Sequence, residues 1–197
     1  FGRKAKTLID SPEYQEIFKT RLREDSQAAG RWETAQGGEY FAAGVGGAIT
    51  GRGADLLIID DPHSEQDALN LTALERAYEW YTSGPRQRLQ PGGQIICVMT
   101  RWNVKDLTGM LMQAQKEAKA DQWELIEFPA IMPSGNPVWP EYWKLKELET
   151  VKASLSLGKW NAQWMQNPTS EEGAIIKREW WKKWDHDYLP TLEHIIQ

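Results

Sequence analysis

A single cysteine and three histidines supply all the thiol and imidazole chemistry of this chain. Cys97 alone excludes an internal disulfide and fits a reducing compartment, and three scattered histidines leave no spacing suited to zinc. No G-x-S-x-G run presents a serine nucleophile, and Cys97 sits within an apolar run where burial makes a thiol inert. No apolar run approaches the roughly 18 residues of a membrane span, and no secretory signal pattern is visible, so no membrane partner is expected. An excess of positive charge is missing as well. With a net charge of -5 and a pI near 5.3, nucleic acid would have to be met by a local patch or by parts outside the sequence. The glycine-rich run at 44–53 matches neither G-x-x-x-x-G-K-[ST] nor G-x-G-x-x-G with a following helix, so it does not qualify as a phosphate-cradling loop. No methionine precedes Phe1, which suggests a processed or truncated product.

What is present is globular in character. Hydrophobic residues make up 41% and charged residues 26% of 197 positions, enough for one α/β domain or one domain and part of a second. Seven of eleven tryptophans (Trp139, Trp143, Trp160, Trp164, Trp180, Trp181 and Trp184) fall in the last third.

Residues 3–18 read as two short helices, with Ser11 capping the second and Pro12 at its first position. Arg3, Lys4 and Lys6 read as a solvated face or, alternatively, as a DNA-facing one. Runs at 31–34 and 39–43 flank Gly37-Gly38, a hairpin signal. The spacing of Leu71, Leu74, Ala77, Tyr78 and Tyr81 predicts a helix over 70–82, stopped by Ser83-Gly84-Pro85, with Arg86 and Arg88 solvated beyond it. Gln90-Pro91-Gly92-Gly93 predicts a turn before a buried strand over 94–100. A helix over 104–120, a strand over 123–128, a proline-rich boundary over 129–140, and helices over 142–154 and 159–165 come next. A polar linker from Asn167-Pro168 to Gly173, a strand or short helix over 175–184 and a new strand from His194 complete the expectations.

The order strand, helix, strand, helix, strand is half of a doubly wound α/β sheet, whose ligands gather at the strands' C-terminal edge. Two acids stand at that edge. The aliphatic run Leu56-Leu57-Ile58-Ile59 reads as a strand buried on both faces, and Asp60 and Asp61 follow it directly. Such acids hold a nucleotide's Mg²⁺ and orient the attacking water in phosphoryl-transfer ATPases. The competing reading makes Asp61 a helix N-cap with Pro62 at the first helical position. His63, three residues from Asp60, suits either an Asp/His metal cluster or a surface or cap position. Arg52, between two glycines, reads either as part of a flexible connection or as a guanidinium presented to a phosphate.

The run Gly51-Arg52-Gly53-Ala54-Asp55-Leu56-Leu57-Ile58-Ile59-Asp60-Asp61-Pro62-His63 resembles the Walker B segment of large terminase subunits, the DNA-packaging motors of tailed bacteriophages. Phe1-Gly2-Arg3-Lys4, Gly38-Glu39-Tyr40-Phe41-Ala42-Ala43-Gly44, Thr100-Arg101-Trp102 and Gln166-Asn167-Pro168 resemble further stretches of that family, in matching order over essentially the whole chain. The resemblance implies a partial P-loop NTPase of the additional-strand type, with helices on both faces of its sheet, followed by a helical Trp-rich linker. It implies residues 1–130 as the C-terminal half of the ATPase domain without its Walker A strand, 131–190 as the linker, and 191–197 as the start of an absent nuclease. In that arrangement the P-loop strand is expected between the Walker B and coupling strands, leaving a gap.

By the same resemblance Asp60 corresponds to the Mg²⁺-holding acid and Asp61 to the carboxylate that polarises the attacking water, where the family often has Glu. Both would contact Mg·ATP. Thr100 lies in the coupling motif that senses the γ-phosphate, and Arg52 is placed where some members carry an arginine finger acting on a neighbour's ATP. Implied partners are double-stranded DNA, a portal protein, a small terminase subunit and further copies in a ring, a pentamer, in the host cytoplasm during virus assembly. The chain by itself is expected neither to hydrolyse ATP nor to cut DNA. A fragment of a helicase-like P-loop ATPase, a non-catalytic DNA-binding or assembly module, and a carboxylate-metal nuclease built on Asp60, Asp61 and His63 remain as alternatives.

Overall fold

The computed structural model describes residues 2–26, 28–47, 49 and 51–169; the expectations over 175–184 and from His194 lie outside them. The architecture is mixed α/β with small sheets, and the chain divides into two compact units, Phe1–Met99 and Thr100–Gln197.

In the first unit, helices α1 (Gly2–Ile9) and α2 (Pro12–Ile17) meet at the expected cap: Ser11 Oγ accepts the Tyr14 N–H at 3.2 Å, and Pro12 opens α2. Strands β1 (Arg31–Glu33) and β2 (Glu39–Phe41) form the hairpin, with Trp32 opposite Tyr40 and their rings stacked at 4.9 Å. Thr34 closes its turn, its Oγ1 accepting the Gly38 N–H at 2.9 Å. α1 joins the hairpin through Gly2, whose carbonyl accepts the Trp32 indole N–H at 3.3 Å. Any larger residue there would bring a Cβ to 2.5 Å from the Ala29 carbonyl oxygen and 2.6 Å from the Tyr40 ring. Two stretches of the family resemblance thus pack on each other through a glycine.

β3 (Ala54–Asp60) pairs in parallel with β4 (Leu89–Val98), Leu56 opposite Gln94 through Asp60 opposite Val98. The expected gap is therefore not there: the two strands pair directly, each keeping one outer edge unpaired among the described residues. Nor is Gln90-Pro91-Gly92-Gly93 a turn before the strand. It lies inside β4 as a bulge, with the register slipping between Ala54 and Leu56 and Gly92 at φ 81°. Proline has no N–H for a ladder and glycine takes the left-handed angle, so a bulge absorbs both.

The strand expected to be buried on both faces is buried on one. Ile59 is 4% exposed, whereas Leu56, Ile58, Ile96 and Val98, which the register sets on the opposite face, are exposed by about half. Aliphatic runs suit parallel strands covered on both sides, and here one side stands open. Helix α3 (Leu71–Ser83) begins at Asn70, whose side chain accepts the Ala73 N–H at 3.3 Å, and stops at Gly84-Pro85. Its stripe Leu74, Ala77 and Tyr81 is buried at helical spacing. Arg86 and Arg88, expected in solvent, lie half-buried in a 3-10 turn, Pro85–Arg88, and the buried Arg88 Nε has no hydrogen-bond partner.

In the second unit, α4 (Leu107–Ala114) is shorter than the helix expected over 104–120. The Gln115 side chain accepts the Trp123 N–H at 2.9 Å and its carbonyl accepts from the Gln122 amide at 3.3 Å, which turns the chain back instead of extending the helix. Residues 123–128 form no strand, because none of the described residues offers them a ladder; Ile126 and Phe128 are 68% and 70% exposed. The proline-rich stretch folds into a small loop closed by Val138 N–H to the Ala130 carbonyl at 3.0 Å. Helix α5 (Leu145–Ser154) and the turn Leu157–Lys159 come after it, widening into a π-helical turn over Trp160–Trp164. Trp164 stacks on Trp160 at 5.7 Å and meets Trp143 edge-on at 5.4 Å, so four of the seven C-terminal tryptophans fall within the described residues and three of those form one cluster. No helix among the described residues is long and apolar enough to cross a membrane.

Candidate functional site

Asp60 closes β3 opposite Val98, and Asp61 extends the ladder by one bond, its N–H donating to the Val98 carbonyl at 2.9 Å. There the chain leaves the sheet, with Asp61 at φ 43°. A left-handed angle costs a residue with a side chain about 1–2 kcal/mol, and Asp and Asn bear it best. Strain of this kind concentrates where a side chain must be aimed. Both carboxylates are exposed. The N-cap alternative for Asp61 does not hold: residues 61–64 carry no helix, and the next α-helix is capped by Asn70.

His63 is buried, 5% exposed, and not at the surface or a cap. Nearby, the Asp67 carboxylate is held below its ordinary value of 3.8, first by the Ser64 backbone N–H at 2.7 Å, then by the Ser64 hydroxyl at 2.9 Å, against the opposing effect of partial burial, with His63 adding a smaller pull. A depressed carboxylate stabilises the folded form above its unfolded pKa and loses that contribution as pH falls through the folded one. Amide protection over 64–70, taken relative to the intrinsic exchange rate at each pH, is therefore expected to fall only below about pH 4. Asp67→Asn should flatten that acid limb; an unchanged limb would remove Asp67 as its cause.

Among the described residues no three His, Cys, Asp or Glu side chains come together as a metal site, so the Asp60, Asp61 and His63 nuclease alternative gains no further acid. Mg²⁺ needs fewer protein ligands, being held by one or two carboxylates with waters and substrate phosphates. Exposed adjacent carboxylates such as Asp60 and Asp61 fit that donor set.

Arg52 is drawn back onto the hairpin. Its guanidinium lies 4.6 Å from the Phe41 ring centroid and pairs with Glu39, which Arg31 also reaches at 3.1 Å. No spacing rule links Glu39 to Arg52, so their pairing is invisible in the sequence. A concavity beside the hairpin is lined by Arg23, Asp25, Ser26, Ala28, Arg31 and Glu33. Its charges answer one another, Arg23 with Asp25 at 2.6 Å and with Glu33, so it is an ion network and not a site for the chemistry of Asp60.

In the second unit Thr100 is followed by Arg101, whose Nε donates to both oxygens of Asp106 at 3.1 and 3.0 Å. Asp106 is fully buried and also accepts the N–H groups of Trp102 at 2.9 Å, Asn103 at 3.2 Å and Gly109 at 2.9 Å. One carboxylate thereby caps α4 and shapes the segment after Thr100. Asp before Leu107 is a cap signal in the sequence; its grip on Arg101 is tertiary. Gln166 reaches the same segment, its Oε1 accepting the Arg101 N–H at 3.1 Å.

No family model matches the chain, and no curated protein matches it.

Proposed function

We propose that the chain is part of a phosphoryl-transfer ATPase of the large terminase type, the motor that drives viral double-stranded DNA into procapsids. The observation that carries the reading is Asp61: a carboxylate at the C-terminal end of a parallel strand, at φ 43°, beside a second carboxylate, with no helix to cap. Asp60 would hold the nucleotide's Mg²⁺, which supplies charge neutralisation at the phosphates. Asp61 would accept a hydrogen bond from the attacking water and orient it. Thr100 would report the γ-phosphate state. The β/γ-phosphate lysine would come from a Walker A run upstream of Phe1, in an additional-strand P-loop domain whose P-loop strand would have to part β3 from β4, which pair directly here. Portal protein, small terminase subunit and a pentameric ring of copies belong to the same proposal, as does a nuclease domain downstream.

The deciding experiment is to read the coding sequence upstream of Phe1 and assay the longer protein for Mg·ATP hydrolysis. A G-x-x-x-x-G-K-[ST]-like run with turnover supports the reading; neither run nor turnover leaves a binding or assembly module. In the longer protein, Arg52→Ala is expected to lower turnover, and mixing it with an Asp61→Asn protein should restore part of it if Arg52 acts on a neighbour's nucleotide. No rescue at any ratio would return Arg52 to the hairpin, where Glu39 and Phe41 hold it.

A further inference from the structure

Two polar stretches far apart in the chain are joined by one side chain. Gln166 sits at φ 56°, a left-handed angle that side-chain-bearing residues rarely hold. From there its amide is used at both ends: Oε1 accepts the Arg101 N–H at 3.1 Å, and Nε2 donates to the Gln163 carbonyl at 2.6 Å. The next two backbone N–H groups, of Trp102 and Asn103, go to Asp106. Three successive amides are thereby tied down, the first by Gln166 and the other two by the cap of α4.

Behind Gln166 stands a rigid support. It comes directly after the π-helical turn, where the Met165 N–H reaches the Trp160 carbonyl at 3.1 Å and the Asn167 N–H reaches the Asn161 carbonyl at 2.8 Å. π-Helical turns recur at functional sites, because the extra residue re-aims the side chains just beyond it. Trp164 adds its ring contacts to Trp160 and Trp143, and its carbonyl accepts the Ala130 N–H at 2.7 Å.

We infer that Gln166 is a positioning residue that locks the segment Thr100-Arg101-Trp102 to the Trp-rich helical segment, so that a shift in either is passed to the other. The coupling role rests on the ATPase reading above; the lock itself does not. In the motor, the nucleotide-sensing segment would deliver its change to the tryptophan cluster through this one amide, by a hydrogen bond that is either made or broken.

The test uses two variants and two readouts. Gln166→Met keeps the length of the side chain and removes both the acceptor and the donor, whereas Gln166→Glu keeps the acceptor toward Arg101 and loses only the donor to the Gln163 carbonyl. In the 197-residue chain, NMR amide exchange at Arg101 is expected to accelerate at least about fivefold in Gln166→Met, the loss of one ordinary hydrogen bond, and to stay near wild type in Gln166→Glu. Amides of α5 should stay protected in both. Unchanged Arg101 exchange in Gln166→Met, equal behaviour of the two variants, or loss of protection throughout the second unit would each overturn the lock. In the longer protein, Gln166→Met should lower kcat for Mg·ATP about tenfold with KM within about twofold, and Gln166→Glu should restore most of it. Wild-type turnover in Gln166→Met alongside faster Arg101 exchange overturns the coupling role and leaves the contact. Absence of turnover in the wild type instead sinks the ATPase reading, and with it the coupling role, while the exchange arm still judges the lock.

Discussion

If the proposed ATPase reading holds, Asp61→Asn is expected to lower Mg·ATP turnover of the longer protein by about 10³-fold, within the range that a positioned general base contributes. Nucleotide affinity and thermal stability should remain close to wild type. The substitution is chosen for what it preserves. Asparagine shares aspartate's size and its tolerance of a left-handed backbone, so the angle at φ 43° and the N–H bond to Val98 survive. What disappears is the negative charge that, on the proposed reading, orients and polarises water. Asp61→Gly separates backbone from chemistry: it relieves the strained angle and removes the carboxylate. If the catalytic reading is right, Asp61→Gly loses turnover while stability holds or rises. Steady-state hydrolysis with calorimetric Mg·ATP binding checks both. Turnover within a few-fold of wild type in Asp61→Asn would reduce Asp61 to a residue that ends a strand.

Asp106→Ala is expected to destabilise the second unit by about 3–5 kcal/mol, the usual consequence of stripping the partner from a buried charge. Asp106 is fully buried and the Arg101 side chain is only 14% exposed, so solvent cannot replace the lost carboxylate. Removal strands the guanidinium and three backbone N–H groups together, and it also uncaps α4. Asp106→Asn should fall between, since it retains an acceptor for the cap but leaves Arg101 without its counter-charge. Urea denaturation followed by tryptophan fluorescence measures the change. A loss below about 1 kcal/mol would mean the cluster behaves like an exposed ion pair. Arg23 with Asp25 is the internal contrast: at 2.6 Å it is the shorter pair, yet both side chains are largely exposed, and its removal should pass nearly unnoticed.

The two variants separate activity from stability. Asp61 is exposed and holds a left-handed backbone angle. Asp106 is buried and fully bonded, so its worth lies in holding the segment after Thr100. A protein of the proposed class needs both an exposed carboxylate and a firmly held segment after the second strand.

Local chemistry by itself determined much of this chain. Ser11-Pro12 dictates where one helix ends and the next begins. The runs flanking Gly37-Gly38 make the hairpin, Asn70 and Gly84-Pro85 bound α3, and Leu56 to Asp60 makes an acid-tipped strand. Each depends on neighbours a few residues apart, whose capping, turn and ladder preferences the residue types already express. The Trp-bearing turn at Trp160–Trp164 was legible for the same reason.

Tertiary structure alone decided the rest. Whether Gln90-Pro91-Gly92-Gly93 turns or bulges depends on β3 lying alongside it, and whether residues 123–128 become a strand depends on a pairing neighbour that the described residues do not supply. The burial of His63 and the open side of β3 come from what packs against them, which no period of two or 3.6 encodes. Asp61 leaves the strand at a left-handed angle and no helix begins at Pro62, a distinction that the dipeptide Asp-Pro carries in neither direction. The bond between Gln166 and Arg101 spans 65 positions. It exists because the chain closes on itself, and closure is a property of the whole unit that no local run of residues specifies.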